Sequence, residues 1–132
     1  MNAENMVRNP KMPDNTLVTI FNKAPYERIS IVEGARCIAG VSTMGLEGIA
    51  VFIDDGVYAL LKNQDPLGAG LEPIVVWLKL LESNKVPMKV IRESLVERGI
   101  KESDLEKFQN LDVISKKQLS ELIPNYSSIF VV

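Results

Sequence analysis

The sequence contains no histidine. That removes Ser-His-Asp and Cys-His catalysis, and every metal site that relies on imidazole. A single cysteine, Cys37, has no partner in the chain, which excludes a cystine-stapled secreted scaffold. Aromatic residues are scarce at 6%, and neither charge sign dominates: 15 Lys and Arg against 17 Asp and Glu give a net charge of -2. So small a charge lacks the basic face of a nucleic-acid binder, and no nucleic-acid partner is expected. Long apolar runs are missing too. Ile74-Val75-Val76-Trp77-Leu78 meets Lys79 well short of the ~20 residues that span a bilayer, so no membrane association is expected. Residues 1–15 lack the apolar centre of a secretory signal; a flexible tail and a cytoplasmic location are the expectation. No GxxxxGK[ST] phosphate loop occurs, and Gly68-Ala69-Gly70 lacks the third glycine and the preceding strand of a dinucleotide fingerprint.

What is present suits one globular domain over residues 16–132: 46% apolar and 24% charged residues in a chain of 132. Thr16-Leu17-Val18-Thr19-Ile20-Phe21 is β-branched, aromatic and stopped by Asn22-Lys23-Ala24-Pro25, which predicts a buried strand. A helix follows from Tyr26 or from Ser30, where Ser30-Ile31-Val32-Glu33 has capping-box spacing, and Gly45 ends it. Its small residues (Gly34, Ala35, Ala39, Gly40) predict a close approach to a sheet. Ile49-Ala50-Val51-Phe52-Ile53 is apolar without interruption, the mark of a parallel strand covered on both faces, and Asp54-Asp55-Gly56 terminates it. Pro73 opens a helix with Ile74, Trp77, Leu78 and Leu81 on one side. Met88 to Ile91 is a third strand, leading into a helix from Arg92 to Arg98 with Gly99 as its cap. Ser103 to Glu106 predicts a brief capped helix and Asp112 to Ile114 a fourth strand. Ser115-Lys116-Lys117-Gln118 opens a further helix, and a last strand covers residues 127–132. This β/α alternation predicts an α/β three-layer sandwich with a five-stranded, mostly parallel sheet.

In such a sheet ligands bind beyond the carboxyl ends of the strands. The expected ligand- or partner-binding group is therefore Asn22, Tyr26, Asp55, Arg92 and Glu93. Arg92 begins a helix, where its guanidinium and backbone donors suit an anion such as thiosulfate or a carboxylate; the alternative is an ion pair on a solvated surface. Asp54 and Asp55 read as a metal or acid-base pair, or as turn and cap residues, with no third ligand nearby. Cys37 reads as a thiol activated by Arg36, or as inert packing inside a helix. No catalytic residue, metal or cofactor is assigned.

Three segments carry a resemblance. Gly48 to Leu61, with its Val51-Phe52-Ile53-Asp54-Asp55-Gly56-Val57 centre, resembles the "VFF-x-DGV-x-LL" segment of DsrE/DsrF-like proteins, a family that includes the TusC-type subunits of the bacterial sulfur relay. Ser94-Leu95-Val96-Glu97-Arg98-Gly99-Ile100 is similar to their "SL-x-ERG-[LI]" run, and Asn125-Tyr126-Ser127-Ser128-Ile129-Phe130 to their closing "NY-x-x-I" strand. The resemblance implies parallel strands with the last beside the first, assembly into trimers or hexamers, and partners that pass persulfide sulfur between proteins. It also implies that the family's sulfur-carrying cysteine, eight residues before the glycine of the "RG" pair, corresponds here to Ile91. A non-catalytic accessory subunit is the leading expectation. The alternatives are a sulfurtransferase using Cys37 and a small-anion or nucleotide-binding module using the strand-end loops.

Overall fold

The computed structural model describes residues 6–8, 16–24, 30–43, 47–62, 74–126 and 128–132. Five parallel strands form the body of the sheet: β2 (Thr16–Phe21), β3 (Glu47–Phe52), β4 (Met88–Ile91), β5 (Leu111–Ile114) and β6 (Ser128–Val131). With β1 (Met6–Arg8) at one edge, the strand order is β1-β6-β2-β3-β4-β5, so the last strand lies beside the first parallel one. The five parallel strands are those the sequence predicts. Met6–Arg8, inside the segment expected to be a flexible tail, adds β1 as a sixth, antiparallel edge strand on β6.

The layers follow from strand alternation. Leu17 and Phe21 of β2, Ala50 and Phe52 of β3, and Met88 and Val90 of β4 face one side. There they meet α1 (Ser30–Thr43) through Ala35, Ile38 and Ala39, and α2 (Ile74–Ser83) through Ile74, Leu78 and Leu81. Leu95 of α3 (Arg92–Glu97) joins the same cluster. The intervening positions Val18, Ile49, Val51 and Ile91 point to the opposite side, where Leu119 of α4 (Lys116–Leu122) packs on them. Residues 49–52 are all 1% exposed or less, as their unbroken apolar run requires of a strand between two layers. The close approach expected of α1 holds at Gly34, where a Cβ would stand 2.9 Å from Val132; Gly40 is exposed with open space around it and has no such role.

Helix ends obey local chemistry. The Ser115 hydroxyl accepts from Gln118 N–H at 3.1 Å while the Gln118 side chain accepts from Ser115 N–H at 2.9 Å, completing the predicted capping box. Gly99, with φ +65°, takes the left-handed position after α3, and Ile100 N–H reaches back to the Leu95 carbonyl. The same closure follows α2, with Lys85 in the left-handed position at φ +59° and Val86 N–H on the Leu81 carbonyl. The helix expected from Ser103 is instead a single 3-10 turn, Glu102–Asp104, because Asp104 turns back to accept from Lys101 N–H at 2.9 Å. The predicted helix starts near Tyr26, the stop at Gly45 and the glycines 68 and 70 lie outside the described residues. No helix of the described residues is long and apolar enough to cross a membrane.

Candidate functional site

The carboxyl ends of β2, β3 and β4 are drawn together by backbone. Ile53 N–H donates to the Phe21 carbonyl at 3.0 Å, carrying the β2–β3 ladder past its last strand residue. The chain then enters a 3-10 helix, Asp54–Leu60, and Gly56 passes directly beneath β2: a Cβ there would stand 1.8 Å from the Phe21 carbonyl oxygen. Asp54 adopts a left-handed conformation, φ +52°, and its N–H donates to the hydroxyl of Ser94, which is fully buried in α3. Arg98, the residue that caps the end of the same helix, donates through Nε and Nη2 to Oδ1 of Asp55 at 3.1 and 3.0 Å. Two contacts 40 and 43 residues apart in sequence thus clamp the end of β3 onto α3.

A third contact extends the rim. Both carboxylate oxygens of Glu93 accept from the backbone N–H of Lys116, at 3.2 and 3.1 Å, so Glu93 supports the start of α4 alongside Ser115. That hydrogen bond, above all, holds the Glu93 carboxyl below the ordinary glutamate value, with its own backbone N–H and the charges of Lys116 and Arg92 acting in the same direction. A lowered folded-state pKa stabilises the fold above the unfolded glutamate pKa, and this support is lost as pH falls through the folded value. Lys116→Pro tests the cause. Proline suits the first helical position, and Ser115 already has the extended backbone that must precede it, but the donor is gone. The Glu93 titration midpoint, followed by NMR, is expected to rise more in this variant than in Lys116→Gln, which removes the charge but keeps the N–H; equal rises would assign the depression to the Lys116 charge.

The expected group of five is thereby sorted. Asp55 and Glu93 lie on the strand-end rim but are engaged in holding it. Arg92 is exposed at the first residue of α3, and Asn22 follows β2 with its Oδ1 buried and without a hydrogen-bond partner among the described residues. Tyr26 lies outside the described residues. Sequence reasoning did not pick out Ser94 and Arg98 as the partners of Asp54 and Asp55. Their signal was the Ser94 to Ile100 run, which carried the resemblance without showing what each side chain touches. Asp54 and Asp55 open a helical turn, and among the described residues no cluster of three His, Cys, Asp or Glu could hold a metal ion.

The thiol chemistry of the chain lies elsewhere. Cys37 sits within α1, partly covered, and burial raises its pKa above the ordinary thiol value. The neighbouring Arg36 lies over the Trp77 ring of α2, its guanidinium carbon 5.0 Å from the centroid. At the end of β4 stands Ile91, fully buried against the α4 side of the sheet, with neither a proton to give nor a lone pair to attack with.

A parallel α/β sheet with helices on both faces and its polar rim at the strand ends defines the class. Residues 16–132 match the DsrE/DsrF-like family profile, and the chain belongs to that family. It is 30% identical to a protein named intracellular sulfur oxidation protein DsrF from Allochromatium vinosum, over 82% of this chain and 89% of that one. It is 31% identical to a TusC homolog from Aliivibrio fischeri, over 89% and 98% of the two chains. Among solved structures, the YchN protein of E. coli superposes with a TM-score of 0.77 at 22% identity, covering 89% of this chain and 99% of that one, a likeness of fold.

Proposed function

We propose that this protein is a non-catalytic subunit of an intracellular sulfur relay, working in the cytoplasm as an accessory partner of proteins that carry persulfide sulfur. The observation that carries the reading is the residue at the end of β4. The family's sulfur-carrying thiol corresponds to Ile91, whose buried side chain cannot ionise or form a persulfide. The names of the relatives from Allochromatium vinosum and Aliivibrio fischeri supply the sulfur context. Burial disfavours the Cys37 thiolate, which weighs against the rival in which Cys37 transfers sulfur.

The subunit assembles with copies of itself as a trimer or a dimer of trimers. Support comes from α2, whose outer side leaves Val76 and Leu80 exposed at 55% and 40% beside the half-buried Trp77. Contact with relay partners or a small anion runs through the strand-end rim, with the exposed Arg92 supplying the positive charge. No cofactor takes part.

Replacement of the only thiol tests the assignment. In a relay reconstituted with the co-purifying partner proteins, Cys37→Ser is expected to support sulfur transfer to the acceptor at the wild-type rate. A loss of ~10-fold or more would move the role to Cys37 and the protein to the transferases.

A further inference from the structure

We infer that β1 is an intrachain guard on the edge of β6, and that without it β6 pairs with the β6 strand of a second copy. The need for a guard is written in the strand itself. Ser127-Ser128-Ile129-Phe130-Val131-Val132 has no charge, no proline and no glycine. Six consecutive residues of this kind have the composition of a self-pairing segment, and none of the usual edge protections interrupts them. The parallel body of the sheet covers one side of β6 through β2. Among the described residues the other side is covered by three, paired as Met6 with Phe130, Val7 with Ile129 and Arg8 with Ser128.

These three residues lie before residue 16, where the family match begins. Intrachain closure is easy. Arg8 is opposite Ser128 and Leu17 is opposite the same residue from the other side, so the connection need cross only two strand spacings, roughly 10 Å. The seven residues 9–15 reach about 23 Å when extended. The guard is itself a poor template for further pairing. It is very short and ends in Arg8, and Pro10, Lys11 and Pro13 follow in sequence.

The ladder tells which bonds β1 makes. Val132 N–H donates to the Ile20 carbonyl of β2 at 3.0 Å, so alternation sends the Phe130 N–H toward β2 as well, and the Ile129 N–H away from it toward β1. Val7 and Ile129 are therefore the pair that exchanges both backbone bonds. Val7→Pro removes one donor at that pair and leaves the β2 side untouched.

Residue-resolved amide exchange on the full chain, with sedimentation over a concentration series, tests the inference, and it does so independently of the sulfur-relay reading. In Val7→Pro, the Ile129 amide is expected to exchange at least ~10-fold faster while Phe130 keeps its protection. The variant alone forms species larger than the wild-type assembly, growing with concentration, and adding Val131→Lys on the half-buried edge abolishes them. An Ile129 rate equal to wild type would overturn the inference. So would a deprotected Ile129 without association, or association that survives Val131→Lys. Loss of protection at Phe130 as well would make β1 a structural support of β6 instead of a guard.

Discussion

Gly56→Ala is expected to be the most damaging small substitution in this protein, costing more than about 4 kcal/mol and leaving the chain largely unfolded or insoluble. The added carbon would stand 1.8 Å from the Phe21 carbonyl oxygen, 2.5 Å from its carbon and 3.2 Å from the Asn22 nitrogen. All three are backbone atoms, so no side chain can swing aside. Relief requires moving the end of β2 or the Asp54–Leu60 turn. The first breaks the bond from Ile53 N–H to that same carbonyl, and the second breaks the bond from Asp54 N–H to Ser94. Either leaves a buried backbone or hydroxyl group without its partner. Expression yield and urea unfolding of the soluble fraction check this. A Gly56→Ala protein with wild-type unfolding midpoint would mean that the close passage of Gly56 under β2 is not maintained in solution.

The second largest effect is expected at Phe52→Ala, about 3–5 kcal/mol. Phe52 ends β3 with no exposed surface, and its ring stacks on that of Phe21, also fully buried, at 5.0 Å and 12°. Removing it empties a ring-sized volume between α1 and the sheet and deletes the ring–ring contact, itself worth ~1 kcal/mol beyond area. Phe52→Leu keeps most of the apolar volume and is expected to cost clearly less. Denaturant unfolding of the two variants decides the matter: similar losses would show that the stacking geometry, and not the filled volume, dominates. Because Phe21 and Phe52 flank the strand ends, the alanine variant is also expected to loosen the Gly56 passage, seen as faster exchange of the Ile53 amide.

The fold was legible where one segment's residues settle their own structure. The apolar run at residues 49–53 required cover on both faces, the Ser115 and Gln118 side chains cap each other's backbone N–H, and Gly99 fits a left-handed cap that most residues resist. What was not legible depends on distant residues. Met-Val-Arg is too short to announce a strand; its conformation comes from register with β6, more than a hundred residues away. Lys85 occupies a cap position that sequence rules reserve for glycine, because Val86 is pulled into the core beside Leu81 and fixes the turn. Gly56 reads in sequence as an ordinary turn glycine, and only the passage beneath Phe21 makes it indispensable. The site divides in the same way. Strand-end topology accounts for the position of Asn22, Asp55, Arg92 and Glu93 on the rim, yet the contacts of Asp55 and Glu93 are set by Arg98 and the Lys116 backbone, which no local pattern encodes.

The proposed role is to serve a sulfur relay without carrying the sulfur. Intact-mass spectrometry of the wild-type chain, after incubation with a polysulfide donor and the persulfide-bearing partner, decides between carriage and its absence. An unchanged mass is expected, since the resemblance implies Ile91 at the family's thiol position and burial raises the Cys37 pKa. A species heavier by about 32 Da that disappears on reduction, and is absent from Cys37→Ser, would contradict it.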